Sequence, residues 1–198
     1  DPNLSQKNEL FIGIKMDMQK NWHTYWKNPG DSGGPIDVAW SLPESVSIEG
    51  PLWPTPQLLP YPPLMTYGYK DFVIFPYKIL YKDINDLTFI DADIDFLICD
   101  DVCVPEKANI KSIFENLEET LELEEWISKV PNTIYPVLGN QTKEFLEIRF
   151  SYNKKIENIY YFSENQNTVL HSGKQVLIKE DNNWLLKIPL QLENSKIS

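Results

Sequence analysis

Apolar and polar residues alternate over residues 9–18, with Leu10, Ile12, Ile14, Met16 and Met18 on one side and Phe11, Gly13, Lys15 and Asp17 on the other. A period of two marks a half-buried β-strand. Similar stretches at residues 36–42, 46–48, 72–81, 86–98 and 109–114 predict further short strands, with Trp40 as a core aromatic. Between them, residues 22–35 are dense first in aromatics and then in turn formers, where Asn28-Pro29-Gly30-Asp31 and Gly33-Gly34-Pro35 carry loop chemistry. Residues 51–63 hold six prolines. Proline donates no ladder hydrogen bond, so this segment reads as a fixed, extended surface connection, and residues 64–71 after it as an aromatic loop.

The pattern changes at residues 115–129, which are acidic and carry Leu117, Leu121, Leu123, Trp126 and Ile127 at spacings compatible with a helix that Pro131 stops. Strand patterns resume at residues 145–150, 156–162, 175–179 and 184–190, with turns at Ser172-Gly173 and Asp181-Asn182-Asn183. The prediction is an all-β protein: a β-sandwich over residues 1–116, an acidic helical connector over 117–131, and a second, smaller β unit over 132–198.

Composition narrows the function classes. With 42% hydrophobic and 13% aromatic residues, the 198-residue chain is a folded protein rather than a disordered one. A formal charge of -11 leaves no basic patch for phosphates, which argues against nucleic acid and anionic membranes and leaves proteins or small molecules as partners. No apolar run approaches the roughly 18 residues of a spanning helix. The start at Asp1-Pro2 lacks the features of a signal peptide, so the chain is expected to be a soluble piece of something longer.

Both cysteines fall in one stretch, Phe96-Leu97-Ile98-Cys99-Asp100-Asp101-Val102-Cys103-Val104-Pro105-Glu106. In an extended strand their Cα atoms would lie about 13 Å apart, beyond the roughly 7 Å limit for a disulfide, so the interval must turn. A bond closing so small a loop stabilises by only about 2 kcal/mol in the chain-entropy model, against about 4.7 for a 100-residue loop. That comparison favours chemistry over architecture, a dithiol/disulfide redox site at Cys99 and Cys103. Asp100 and Asp101 disfavour a thiolate, which describes a guarded pair that becomes active when a partner docks. The alternatives are a structural disulfide, copper(I) held by two thiolates, or, last, two buried free thiols that are simply part of the core. Zinc wants four ligands, and beyond the two cysteines only His23 and His171 are on offer, far apart in sequence. His23 is therefore assigned a tethering or packing role, and Met16 and Met18, which share a face with Ile12 and Ile14, a packing role.

Four motifs, in order, carry a resemblance: Trp22-His23-Thr24-Tyr25-Trp26-Lys27-Asn28-Pro29-Gly30-Asp31-Ser32-Gly33, Trp40-Ser41-Leu42-Pro43, Tyr67-Gly68-Tyr69, and the run from Cys99 to Glu106. The chain resembles the amino-terminal periplasmic region of the DsbD and ScsB family of transmembrane disulfide reductases, most closely the ScsB-like branch associated with suppression of copper sensitivity. Ile159-Tyr160-Tyr161-Phe162 and Val169-Leu170-His171 extend the likeness more weakly into the second half. The resemblance implies an immunoglobulin-like sandwich in the periplasm of a Gram-negative bacterium, attached in the full-length protein to a membrane electron-transfer domain. Electrons would pass from that domain to the cysteine pair and on to periplasmic thioredoxin-fold proteins, with the disulfide as the sole redox group. By the same analogy Cys103 forms the mixed disulfide and Cys99 resolves it. Tyr67, Gly68 and Tyr69 would form a cap over the sulfurs, with Asp100, Asp101 and Pro105 shaping the cysteine loop.

Overall fold

A computed structural model of the chain describes residues 8–116 and 120–191. Its strands are β1 (Asn8–Asp17), β2 (His23–Gly30), β3 (Asp37–Ser41), β4 (Ser47–Glu49), β5 (Gln57–Tyr61), β6 (Leu64–Lys70), β7 (Phe72–Tyr81), β8 (Phe89–Cys99) and β9 (Cys103–Ile113). A helix α1 (Leu121–Ser128) follows, and then β10 (Leu138–Gln141), β11 (Phe145–Phe150), β12 (Val176–Glu180) and β13 (Asn183–Pro189). The described residues form two compact units. One draws on the chain up to Lys27, on Gly33–Leu58 and on Tyr67–Pro131; the other takes Asn28–Ser32, Leu59–Thr66 and the chain from Asn132 onward.

In the first unit β7 is the middle of a sheet ordered β1-β7-β4, with β1 antiparallel along its whole length, from Asn8 opposite Tyr81 to Asp17 opposite Phe72. A second sheet has the order β3-β8-β2-β6-β5, and β9 also pairs with β8. Because β9 runs the full length of β8, from Phe89 opposite Ile113 to Cys99 opposite Cys103, β3 and β2 must share the other edge of β8. There β3 lies beside Asp91–Asp95 and β2 meets Cys99. Val46, Ile79, Leu87 and Ile90 are buried together, packed by Leu10, Ile12, Trp40 and Leu42, so residues of both sheets fill one core. The edge of the Trp40 ring meets Tyr77 at 4.9 Å. This is the all-β, immunoglobulin-like sandwich that the alternating pattern and the resemblance lead to.

Several segments differ from their sequence reading, each for a local reason. The aromatic stretch that opens residues 22–35 is strand β2, and it continues through the turn formers Asn28-Pro29-Gly30. In the second unit the Asn28 side chain accepts from Gly30 N at 3.0 Å and donates to Ser163 O at 2.7 Å, so it serves the strand instead of breaking it. The aromatic loop expected at residues 64–71 is strand β6. The proline-rich segment contains β5, an edge strand, where proline's missing N–H costs no ladder bond, and Pro54 and Pro56 are buried rather than on the surface. The acidic helix is a packed part of the first unit. Thr120 caps it by accepting from Leu123 N, and the buried Trp126 lies edge-on to Phe72 at 5.4 Å. Residues 117–119 of the expected connector lie outside the described residues.

The second unit is built on an antiparallel sheet ordered β10-β11-β13-β12, whose core holds Val169, Leu186, Ile188 and Leu190. The strand expected at residues 156–162 is absent. Tyr161 N does not donate to a strand partner; it donates to Gln175 Oε1 at 2.8 Å, while Tyr161 O accepts from Gln175 Nε2 at 2.9 Å. A side-chain amide thus satisfies the peptide groups that a ladder would have satisfied, and Ile159 and Tyr161 still pack on the core. Strand β10 escaped the sequence reading because all its residues are exposed and carry no alternation.

Ile79 is fully buried at the centre of the first core. Ile79→Ala is expected to lower the unfolding free energy by about 2–5 kcal/mol, read as a shift of the urea midpoint; an unchanged midpoint would contradict this packing.

Candidate redox site

Along β8, the buried Ile90, Ala92 and Ile94 alternate with Asp91, Asp93 and Asp95. Pairing with β9 carries that alternation to the tip of the hairpin, where Cys99 and Cys103 stand opposite each other across the three-residue turn Asp100-Asp101-Val102. Asp100 N donates to Val102 O at 3.2 Å to close the turn. The two Cα atoms are 4.1 Å apart and the sulfurs form a disulfide. The expected turn between the cysteines is therefore a hairpin turn, and the pair is a cross-strand bond at its mouth.

The two sulfurs are not equivalent. Cys99 is 1% exposed, whereas Cys103 is exposed. Ile98 and Val104, one step away on each strand, point to the other face of the hairpin, into a groove of about 610 Å³ that Met16, Ile94 and Phe96 also line. The disulfide therefore looks away from that groove, onto a face where Leu97 opposes Pro105 and a charged ladder follows. Lys107 meets Asp95 at 2.6 Å, Asn109 donates to Asp93 at 2.7 Å, and Lys111 meets Asp91 at 3.1 Å.

Strand β2 adds the remaining groups. His23 is the residue paired with Cys99, and Tyr25, two residues on, shares its face. The Tyr25 hydroxyl donates to Cys99 Sγ at 2.8 Å and lies 3.4 Å from Cys103 Sγ. Tyr25 is 1% exposed, and burial raises its pKa, so the phenol keeps its proton and stays a donor. Gly33 lies flat on the ring: a Cβ there would run into Tyr25 Cε1 and Cζ, and its φ of +97° is one that side chains rarely adopt. A Cβ at the adjacent Gly34 would touch Leu97 at 3.4 Å. The His23 ring meets Tyr25 edge-on at 5.2 Å. Burial lowers the His23 pKa, with Asp100 pulling it up and Lys70 pushing it down by smaller amounts.

The structure brings Cys99, Cys103, Asp100 and Asp101 together at the hairpin tip, with both aspartates exposed, and places Pro105 exposed on β9. It does not bring Tyr69 there. That hydroxyl donates to Pro54 O at 2.7 Å, and its ring packs on Phe75 and Trp126. Tyr67 is fully buried in the same strand. Gly68 presses on the Thr24 carbonyl and comes within 3.1 Å of Tyr25 Cα from its Cβ position, so the Tyr67-Gly68-Tyr69 motif supports the strand that bears Tyr25. Tyr25, a residue of the aromatic motif to which the sequence reading assigned no role, makes the contact with the sulfurs. Its signal was present in that motif, but nothing local in the sequence states that β2 meets β8 at Cys99. His171 is buried in the second unit, with Nε2 2.6 Å from Gln166 O. Among the described residues no group of three or more His, Cys, Asp or Glu could hold a metal ion, and no helix is long and apolar enough to cross a membrane.

Because His23 is harder to protonate in the folded state than at its ordinary value of 6.5, the unfolded chain takes up the proton first. Its contribution to stability is intact above about pH 6.5 and is lost as pH falls through the lower folded value. His23→Gln should flatten that part of the stability–pH curve, measured by denaturation between pH 7.5 and 5; an unaltered slope would place the titration elsewhere.

Comparison with known proteins agrees with this geometry. No curated protein sequence matches the chain. The crystal structure of the N-terminal periplasmic domain of ScsB from Proteus mirabilis is similar in fold, with a TM-score of 0.68 at 18% identity, over 98% of this chain and 79% of that one. Residues 1–115 match the family model described as thiol:disulfide interchange protein DsbD, N-terminal. That match covers more than half of the chain and ends just beyond the hairpin that holds both cysteines, and by it the chain belongs to the family of DsbD N-terminal domains.

Proposed function

We propose that this domain is the periplasmic thiol–disulfide exchange module of a transmembrane disulfide reductase, and that it passes electrons from its membrane domain to thioredoxin-fold proteins through Cys99 and Cys103. The family supports the class of chemistry, and the periplasmic setting rests on the description of the ScsB domain. The observation that carries the roles of the sulfurs is their unequal exposure, Cys103 open and Cys99 buried beneath Tyr25. Attack on a disulfide needs the attacking sulfur in line with the bond and room for the protein that carries it. Only Cys103 offers that room.

In the reducing direction the Cys103 thiolate attacks one sulfur of the partner's disulfide, forms the mixed disulfide and releases the partner's other sulfur as a thiolate. The Cys99 thiolate then attacks Cys103 Sγ, closes the Cys99–Cys103 bond and releases the partner's second thiolate. Two electrons have moved, the partner is reduced and the domain is oxidised to the state seen here. Recharging runs the same steps backward with a dithiol of the membrane domain. No further redox group is required, since the disulfide itself holds both electrons. Asp100 and Asp101 disfavour a free thiolate, and Tyr25 covers Cys99, so the pair resists adventitious oxidants and exchanges after docking. In this reading the shield expected of Tyr67 and Tyr69 is supplied by Tyr25.

With Cys99→Ser, the reduced domain should accumulate a mixed disulfide with an oxidised thioredoxin, visible on a non-reducing gel, and Cys103→Ser should form none. The opposite pattern would exchange the two roles. Failure of the wild-type domain to exchange at all, together with a large loss of stability on reduction, would identify a structural disulfide instead.

A further inference from the structure

Resting on that reading, we infer that Tyr25 is a catalytic residue that selects the leaving sulfur: its hydroxyl stabilises Cys99 as a thiolate, so that an incoming thiol attacks Cys103. The phenol donates to Cys99 Sγ at 2.8 Å while the same oxygen stands 3.4 Å from Cys103 Sγ, also within reach of sulfur, so the donor sits closer to the buried one of the two sulfurs. A disulfide sulfur is a weak acceptor and a thiolate is a charged one, so this hydrogen bond strengthens as the S–S bond breaks. An interaction that grows between ground state and transition state speeds the step rather than merely holding the site.

The step balances without another oxidant. A donor thiolate forms a bond to Cys103 Sγ, the Cys99–Cys103 bond breaks, and its electron pair stays on Cys99 Sγ, which Tyr25 meets with its proton. A second donor thiolate then releases Cys103 and completes the two-electron reduction. The alternative, attack on Cys99 with Cys103 leaving, would aim at a buried sulfur and send the charge to the one farther from the phenol. The charges around Tyr25 leave its proton in place: Asp100 and Lys70 act on the neighbouring His23, and burial keeps the phenol neutral.

Gly33 is the positioning residue. A Cβ there would run into the ring at Cε1 and at Cζ, the carbon that bears the hydroxyl, and His23 meets the ring edge-on. The Tyr25 ring is therefore met both by Gly33 and by His23.

Two measurements test the inference. In the first, the wild-type domain and Tyr25→Phe are reduced by glutathione, with the rate followed by acid quench and mass spectrometry. The wild type should form its glutathione adduct on Cys103, and Tyr25→Phe should react about threefold more slowly, the change that one pKa unit in the leaving thiol makes in a rate with a Brønsted sensitivity of about one half. In the second, made on Cys103→Ser so that Cys99 is the one thiol present, thiolate absorbance at 240 nm is titrated with and without Tyr25→Phe. The second substitution should raise the Cys99 midpoint by about one unit, a shift that loss of packing alone does not produce. Equal rates and equal midpoints would overturn the role of Tyr25 while leaving the exchange function intact. A wild-type protein that neither glutathione nor a reduced thioredoxin can reduce would instead overturn the exchange reading beneath it. Should Tyr25→Phe fail to fold, Gly33→Ala reports on the same hydroxyl by displacing the ring, and a wild-type rate there would count equally against the inference.

Discussion

The pairing of β8 with β9 is the constraint on which the site depends. Its register ends on Cys99 opposite Cys103, and in a structure of period two a slip of one residue would turn one sulfur to the groove face, where Ile98 and Val104 now lie. What holds the register is spread along the hairpin. Ile90, Ala92 and Ile94 are buried on one face, and Asp91, Asp93 and Asp95 meet Lys111, Asn109 and Lys107 on the other. Each exposed ion pair is worth at most about 1 kcal/mol. A slip, however, loses all of them together and drives three aspartates toward the core. The ladder therefore matters less as a source of stability than as a device that keeps two sulfurs opposite each other.

The same arrangement explains how a site flanked by two acidic residues can still exchange disulfides. Asp100 and Asp101 disfavour a thiolate at either sulfur, and burial does so again at Cys99. Against these stands one hydrogen bond from a neutral phenol to a charged sulfur, worth roughly 1.5–3 kcal/mol for a charged partner. It cannot make Cys99 a standing thiolate, and it has no need to. It acts at the moment charge arrives on that sulfur, which is where a carrier that must be quiet between encounters has use for it. In the proposed exchange, solvent exposure of Cys103 and concealment of Cys99 would divide the work, one sulfur meeting the partner and the other receiving or returning the electron pair.

Much of this was legible in the residues. The alternation at residues 9–18 is strand β1, the strand expected at residues 72–81 is β7, and the short spacing of the cysteines required the turn that the hairpin supplies. What escaped the sequence was decided by contacts distant along the chain. Tyr67-Gly68-Tyr69 looks like loop chemistry because of its glycine, yet that glycine is needed for β6 to close on the Thr24–Tyr25 backbone. Residues 156–162 have the composition of a strand, yet at Tyr161 the Gln175 side chain satisfies the peptide groups in place of a neighbouring strand. Tyr25 could not be singled out from Trp22 or Trp26 until the meeting of His23 with Cys99 showed which face of β2 looks at the sulfurs.

The aromatic run and the glycines that follow it, which read in sequence as two features, act as one device. The chain leaves β2, turns, and lays Gly33 on the ring of Tyr25, a residue of the strand it has just left. A loop with any side chain at that point would meet both a backbone conformation it rarely adopts and a ring already in its space. The short sequence distance between Tyr25 and Gly33 means that this contact costs less chain entropy than the longer-range pairing of β2 with β8. The hydroxyl is in this way oriented by its own strand and loop, and the hairpin has only to bring Cys99 to it.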